Sequence, residues 1–106
     1  MIQGVYRPKQ FLLTLEGHAR SGEAGKDLVC AGFSALAVTM AENAAAMERR
    51  GMLRELEVKL ERGHARIRCI PRAGYRASVR LVMDTVAMGM ARLAETYSEY
   101  ARLEVR

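Results

Sequence analysis

Leu56, Val58 and Leu60 alternate with Glu57, Lys59 and Glu61, the period-two pattern of a strand with one face buried. Phe11, Leu13 and Leu15 share a face in the same way, which predicts a strand over 11–16 that Gly17 ends. Residues 1–6 are of β type and precede a turn at 7–10. Arg62-Gly63-His64 is a turn signal, after which the chain returns as a strand over 65–70, broken by Pro71 to Gly74. Two stretches follow helical spacing instead. Val29, Phe33, Leu36, Met40 and Met47 predict an alanine-rich helix over 27–47, with Asp27 as its N-cap and Gly51 as its stop. Val79, Val82, Met83, Val86, Met90, Leu93, Ala94 and Tyr97 form an amphipathic stripe that predicts a second helix starting near Ser78. A short strand over 102–105 closes the chain. The order ββαββαβ predicts a two-layer α+β fold, with two long helices packed on one face of a largely antiparallel sheet. No internal repeat or linker divides 1–106, so one domain is expected.

Composition agrees with that picture. Of 106 residues, 50% are hydrophobic and 27% charged, which excludes a disordered chain. The longest run of low polarity, residues 31–41, is too short for a membrane span. The N-terminus lacks the apolar run of a signal peptide. The expected compartment is the cytoplasm, where Cys30 and Cys69 stay reduced and form no disulfide framework. The seven methionines fall at helical spacing, as core or as a dimer face.

Charge adds a second theme. The net charge is +5 and the isoelectric point about 9.7, a balance suited to acidic partners such as RNA. Arg62, Arg66, Arg68, Arg72, Arg76 and Arg80 fall in a stretch without a single acid. Such a run reads either as a solvated basic face or as a contact for ribosomal RNA. No aromatic residues alternate with the arginines to stack on bases.

The candidate chemistry lies in residues 17–36, GHARSGEAGKDLVCAGFSAL. If Asp27 caps the helix, Cys30 stands in its first turn, where unsatisfied N–H groups and the helix dipole favour a thiolate. The same amides suit the oxyanion of a tetrahedral intermediate. His18, just past a strand end, can be carried to the helix start by the loop over 19–26, whose glycines Gly22 and Gly25 are soft points. It would then act as general base and acid to the thiol. Ser34 lies one turn beyond Cys30 on the same helix face, and Asp27 can orient His18. On spacing alone a second reading stands level with this one: Cys30 as a small buried hydrophobe and His18 as a loop residue. Cys69 reads as structural and His64 as a solvated turn residue. A zinc site from His18, Cys30, His64 and Cys69 has suitable ligand types but lacks the paired spacing of zinc motifs.

Gly17-His18-Ala19, Gly25, Asp27-Leu28-Val29-Cys30-Ala31 and Ser34-Ala35-Leu36 together resemble the ribosomal-processing cysteine protease family, called Prp. The stretch Leu93-Ala94-Glu95-Thr96-Tyr97-Ser98-Glu99-Tyr100 looks like that family's closing helix. The resemblance implies a cofactor-free cysteine endopeptidase, homodimeric, that removes the N-terminal extension of a large-subunit ribosomal protein. It implies a catalytic pair Cys30 and His18, a mobile loop between them, and supporting roles for Gly17, Gly22, Gly25, Asp27 and Ser34. The competing function is a non-catalytic basic module that binds the ribosome or its RNA. The chain departs from the family pattern at Gly32, where alanine is usual, at Arg20, where a small residue is common, and mildly at Leu28.

Overall fold

The computed structural model describes residues 1–20, 22 and 27–106. Strands Ile2–Arg7 (β1) and Leu12–Glu16 (β2) flank a single turn of 3-10 helix at Pro8–Gln10. Helix Leu28–Arg49 (α1) leads to the hairpin Leu53–Glu61 (β3) and His64–Pro71 (β4), and helix Arg76–Thr96 (α2) leads to strand Ala101–Val105 (β5). The sheet order is β3-β4-β2-β1-β5. Every pairing is antiparallel except β1 with β5. The expected element order, the α+β class and the largely antiparallel sheet are all present.

One face of the sheet carries the core. Leu13 and Leu15 of β2 sit opposite Ile67 and Ala65 of β4, and both helices bury their stripes here: Val29, Phe33, Ala37, Met40, Ala44 and Met47 from α1, and Val79, Met83, Val86, Ala87, Met90 and Ala94 from α2. Four of the methionines are therefore core. By length and composition alone, α1 is long and apolar enough to cross a membrane. Counting the uninterrupted run 31–41 missed this, because the helix begins three residues earlier and continues through isolated polar positions. In the fold its stripe packs on the sheet.

Gly32 has a packing reason. A Cβ placed there would lie 2.9 Å from Leu93 Cδ1, so the glycine lets α2 lie close against α1 just behind Cys30. The stop of α1 follows the sequence closely. The Met52 N–H bonds Met47 O and the Gly51 N–H bonds Glu48 O, the paired bonds of a Schellman ending around a left-handed glycine.

The structure corrects two expectations. β3 is not half-buried: Val58 is 41% exposed and Leu60 42%. Their register opposite Ile67 and Ala65 aims them at the helix side, but β3 is the outermost strand, so among the described residues no further strand lies beyond it to close that side. The arginine run does not form one face either. Arg66 pairs with Glu57 and Arg68 with Glu55 on the helix-free face of the sheet, Arg76 lies over the Phe11 ring at 5.2 Å, and Arg80 pairs with Asp84 within α2. A strand alternates its faces while a helix rotates them, so equal spacing in sequence disperses in space.

One polar contact ties α2 to the sheet. The buried Tyr6 hydroxyl donates to Asp84 Oδ1 at 2.5 Å, and Arg80 Nε donates to the same oxygen at 2.8 Å. Burial, followed by the hydrogen bond and charge of Asp84, pushes the Tyr6 phenol well above its usual range. For Asp84, burial acts to raise the pKa but is outweighed by the hydrogen bonds from Tyr6 and Arg80 and by the Arg80 charge, so the net direction is down from 3.8. A carboxylate whose folded value is depressed stabilises the fold above its unfolded value and loses that contribution as pH falls through the folded one. Acid unfolding followed by circular dichroism should therefore show Asp84→Asn less stable than the parent at neutral pH. The gap should close as pH drops below about 4.

Candidate active site

Asp27 caps α1 as expected, its carboxylate accepting the Cys30 N–H at 3.0 Å. This fixes the first turn and places the half-buried Cys30 thiol at its rim. The amide that the cap engages is Cys30's own, so in this state it is not a donor for an oxyanion. A different amide reaches the sulfur: the Ala19 N–H donates to Cys30 Sγ at 3.2 Å. The residue after His18 thus touches the thiol, which brings the two ends of the loop together at a backbone contact. Removing the cap should loosen this end of the helix. Asp27→Ala is expected to lose about 1 kcal/mol in thermal unfolding, with Asp27→Asn retaining most of the stability because its amide oxygen still caps.

A cavity of about 500 Å³ opens beside the thiol. Gly17, His18, Arg20, Gly22, Asp27, Cys30 and Ser34 all line it. Every described residue of the expected set is therefore in one place. Gly25 lies outside the described residues. Among the described residues no hydrogen bond joins the His18 imidazole to the Cys30 thiol; the two are brought to one cavity. Of the six arginines in the basic run, Arg62 alone lines this cavity.

The opposite wall is the tip of the β3–β4 hairpin: Leu60, Glu61, Arg62, Gly63, His64 and Ala65. Residues 62–64 carry a turn signal in sequence, and nothing local in that signal places the turn against Cys30. The link is the pairing of β2 with β4, which sets Glu16 opposite His64 and lets the Gly17 N–H bond Gly63 O at 2.9 Å. A signal for it was present. The tetrapeptide Gly-His-Ala-Arg occurs at 17–20 and again at 63–66, each time at a strand end, although no repeat was read there. His64 lies in β4, which it opens, rather than in the turn; its side chain stays partly exposed, and its Nδ1 donates to Glu16 Oε1 at 2.6 Å.

The two cysteines part clearly. Cys69 is fully buried on β4, and burial pushes its thiol up to about 11, the behaviour of an inert core thiol. Among the described residues, no group of three or more His, Cys, Asp and Glu side chains is placed to hold a metal ion, and Cys69 is not on the cavity that His18, Cys30 and His64 share.

Fold and site together define a small α+β protein that displays one thiol at a capped helix start, facing an open cavity with a histidine on its wall. The sequence pattern of the family described as Cysteine protease Prp matches residues 6–102, and the chain belongs to that family. Among solved structures it is similar to an essential ribosomal processing protease Prp from S. aureus in complex with a covalently linked product peptide, at 25% identity and a TM-score of 0.78 over 100% of both chains. It shares its fold with a structure of the S. aureus protease in complex with a substrate peptide, at 23% identity and a TM-score of 0.74, again over 100% of both chains. A protein from Streptococcus mutans is similar at 26% identity and a TM-score of 0.67, over 99% of this chain and 93% of that one. No curated protein matches the chain.

Proposed function

We propose that the protein is a cysteine endopeptidase that removes the N-terminal extension of a large-subunit ribosomal protein, with Cys30 as nucleophile and His18 as general acid and base. The observation that carries this reading is the single cavity lined by His18 and Cys30, with Cys30 fixed by the Asp27 cap and touched by the Ala19 amide. The likeness to the S. aureus processing protease supports the ribosomal substrate.

In this reading His18 takes the Cys30 proton and the thiolate attacks the scissile carbonyl. The tetrahedral intermediate collapses as the imidazolium protonates the leaving amine, leaving a thioester on Cys30. Water, deprotonated by His18, then hydrolyses the thioester and regenerates the thiol. The apolar side of the cavity, with Val38 and Leu60, suits a peptide bearing apolar side chains, and Ser34 and Asp27 supply polar contacts at the helix start. Homodimerisation and a cytoplasmic location belong to the same proposal. Contact of the basic run with ribosomal RNA draws less support, because Arg66, Arg68 and Arg80 are already paired with acids.

The test is co-expression with the host's own copy of that ribosomal protein, followed by intact-mass measurement. Trimming by the parent chain and none by Cys30→Ala is the expected result. Trimming that persists with Cys30→Ala would sink the proposal.

A further inference from the structure

The surface beneath the His18 ring is a glycine. A Cβ built on Gly63 would lie 2.8 Å from His18 Nε2, 3.2 Å from Cε1 and 3.5 Å from Cδ2. The first of these is a spacing that real side chains do not adopt, so the imidazole sits where any side chain at 63 would go. The turn is also tied to the backbone that carries the ring. The Gly17 N–H bonds Gly63 O, Glu16 and His64 face each other in register, and their side chains share a hydrogen bond. The peptide that leads into His18 and the surface under its ring are thus one hydrogen-bonded unit.

We propose that Gly63 is a positioning residue for His18: the bare backbone of the β3–β4 turn is the shelf that sets the imidazole at the rim of the Cys30 cavity. This rests on the reading of His18 as the acid and base of peptide cleavage. A methyl group on the shelf displaces the ring while the sheet and both helices stay in place. Proton transfer to the leaving amine suffers first, and binding of the peptide changes less.

Gly63 has φ +76°, so an L side chain there also strains the backbone. The fold supplies the control. Gly51 has φ +74° and nothing within 4 Å of a built Cβ, so Gly51→Ala carries the strain without the collision. Gly63→Asn supplies the converse, since asparagine tolerates left-handed backbone yet still places a Cβ under the ring.

The experiment uses the whole purified chain and a synthetic peptide spanning the extension and first mature residues of the host's ribosomal protein. It measures kcat, KM, thermal unfolding, and the pH profile of Cys30 alkylation by iodoacetamide. The expected result is a fall in kcat on the order of 10- to 100-fold for Gly63→Ala and Gly63→Asn, with KM changing much less. Gly51→Ala should lose comparable stability and keep its kcat. In a His18→Ala background, adding Gly63→Ala should leave the alkylation profile unchanged, because the ring it displaces is gone. If Gly63→Ala proves too unstable to purify, Gly63→Asn decides by the same readouts. Equal kcat in the Gly63 and Gly51 variants, while His18→Ala is inactive, overturns the positioning proposal alone. So does a Gly63→Ala effect on alkylation that persists without His18. A His18→Ala chain that cleaves at the parent rate overturns the acid and base reading, and this proposal with it.

Discussion

Replacing Cys30 by alanine should remove peptide cleavage, with a loss of at least about a thousandfold, while the fold survives. Among the described residues the proposed nucleophile has no substitute nearby. Cys69 is fully buried on β4, with its thiol pushed up to about 11. Ser34 lies one helical turn further along, where it lines the cavity without the cap and the Ala19 amide that fix Cys30. Cys30 is half-buried and packs only at the edge of the core, so losing its sulfur leaves a small gap open to the cavity. Liquid chromatography with mass detection of the product peptide measures the loss. Thermal unfolding of the same sample shows that the chain is folded. Cys69→Ala is the counterpart, with cleavage per folded molecule retained and stability reduced by the core cavity it opens. Iodoacetamide labelling gives a third view, with Cys30 modified in the native protein and Cys69 modified only after unfolding.

Gly17→Ala should produce the largest loss that does not remove a reacting group. Gly17 has φ +94°, and a Cβ built on it would lie 2.3 Å from the Met1 carbonyl oxygen. That neighbour is backbone, in the peptide whose Ile2 N–H bonds Tyr100 O, so it cannot swing aside as a side-chain tip can. Strain from the dihedral angle alone costs about 1–3 kcal/mol, and the collision adds to it. Urea unfolding should place Gly17→Ala well below Gly51→Ala, which carries similar strain and meets nothing. The activity effect has a separate origin. Relieving the collision moves Gly17 away from Met1, and its N–H bond to Gly63 and the adjacent His18 move with it. A displacement of an ångström at an acid/base group costs on the order of 100-fold. Urea midpoints for the two variants that coincide would contradict the collision argument.

Local chemistry alone was enough for much of this protein. Period-two spacing placed β2 and β3, helical spacing placed both helices, and β-type residues and turn signals placed the other strands, because each element has to turn one apolar face to a common core. Asp27 could be read as a cap and Cys30 as a helix-start thiol from three residues, because a cap is satisfied within a single turn. Other features depended on position in the sheet. Val58 and Leu60 follow the pattern of buried residues, yet the outermost place of β3 leaves them open. The arginines from 62 to 80 look like one charged run, and strand and helix geometry sends them to different surfaces. The clearest case is Gly-His-Ala-Arg, which occurs at 17–20 and at 63–66. In the first copy the chain leaves the sheet at Gly17, and His18 faces the Cys30 cavity. In the second the chain enters β4 at His64, which lines the same cavity but whose ring bonds Glu16. Four identical residues take two roles because the pairing of β2 with β4, a contact between segments far apart in sequence, decides what each histidine meets. The sequence by itself determined which groups are available and which elements carry them. Tertiary structure decided which faced the same space, because a cavity is formed by the surfaces that remain uncovered after the strands have paired.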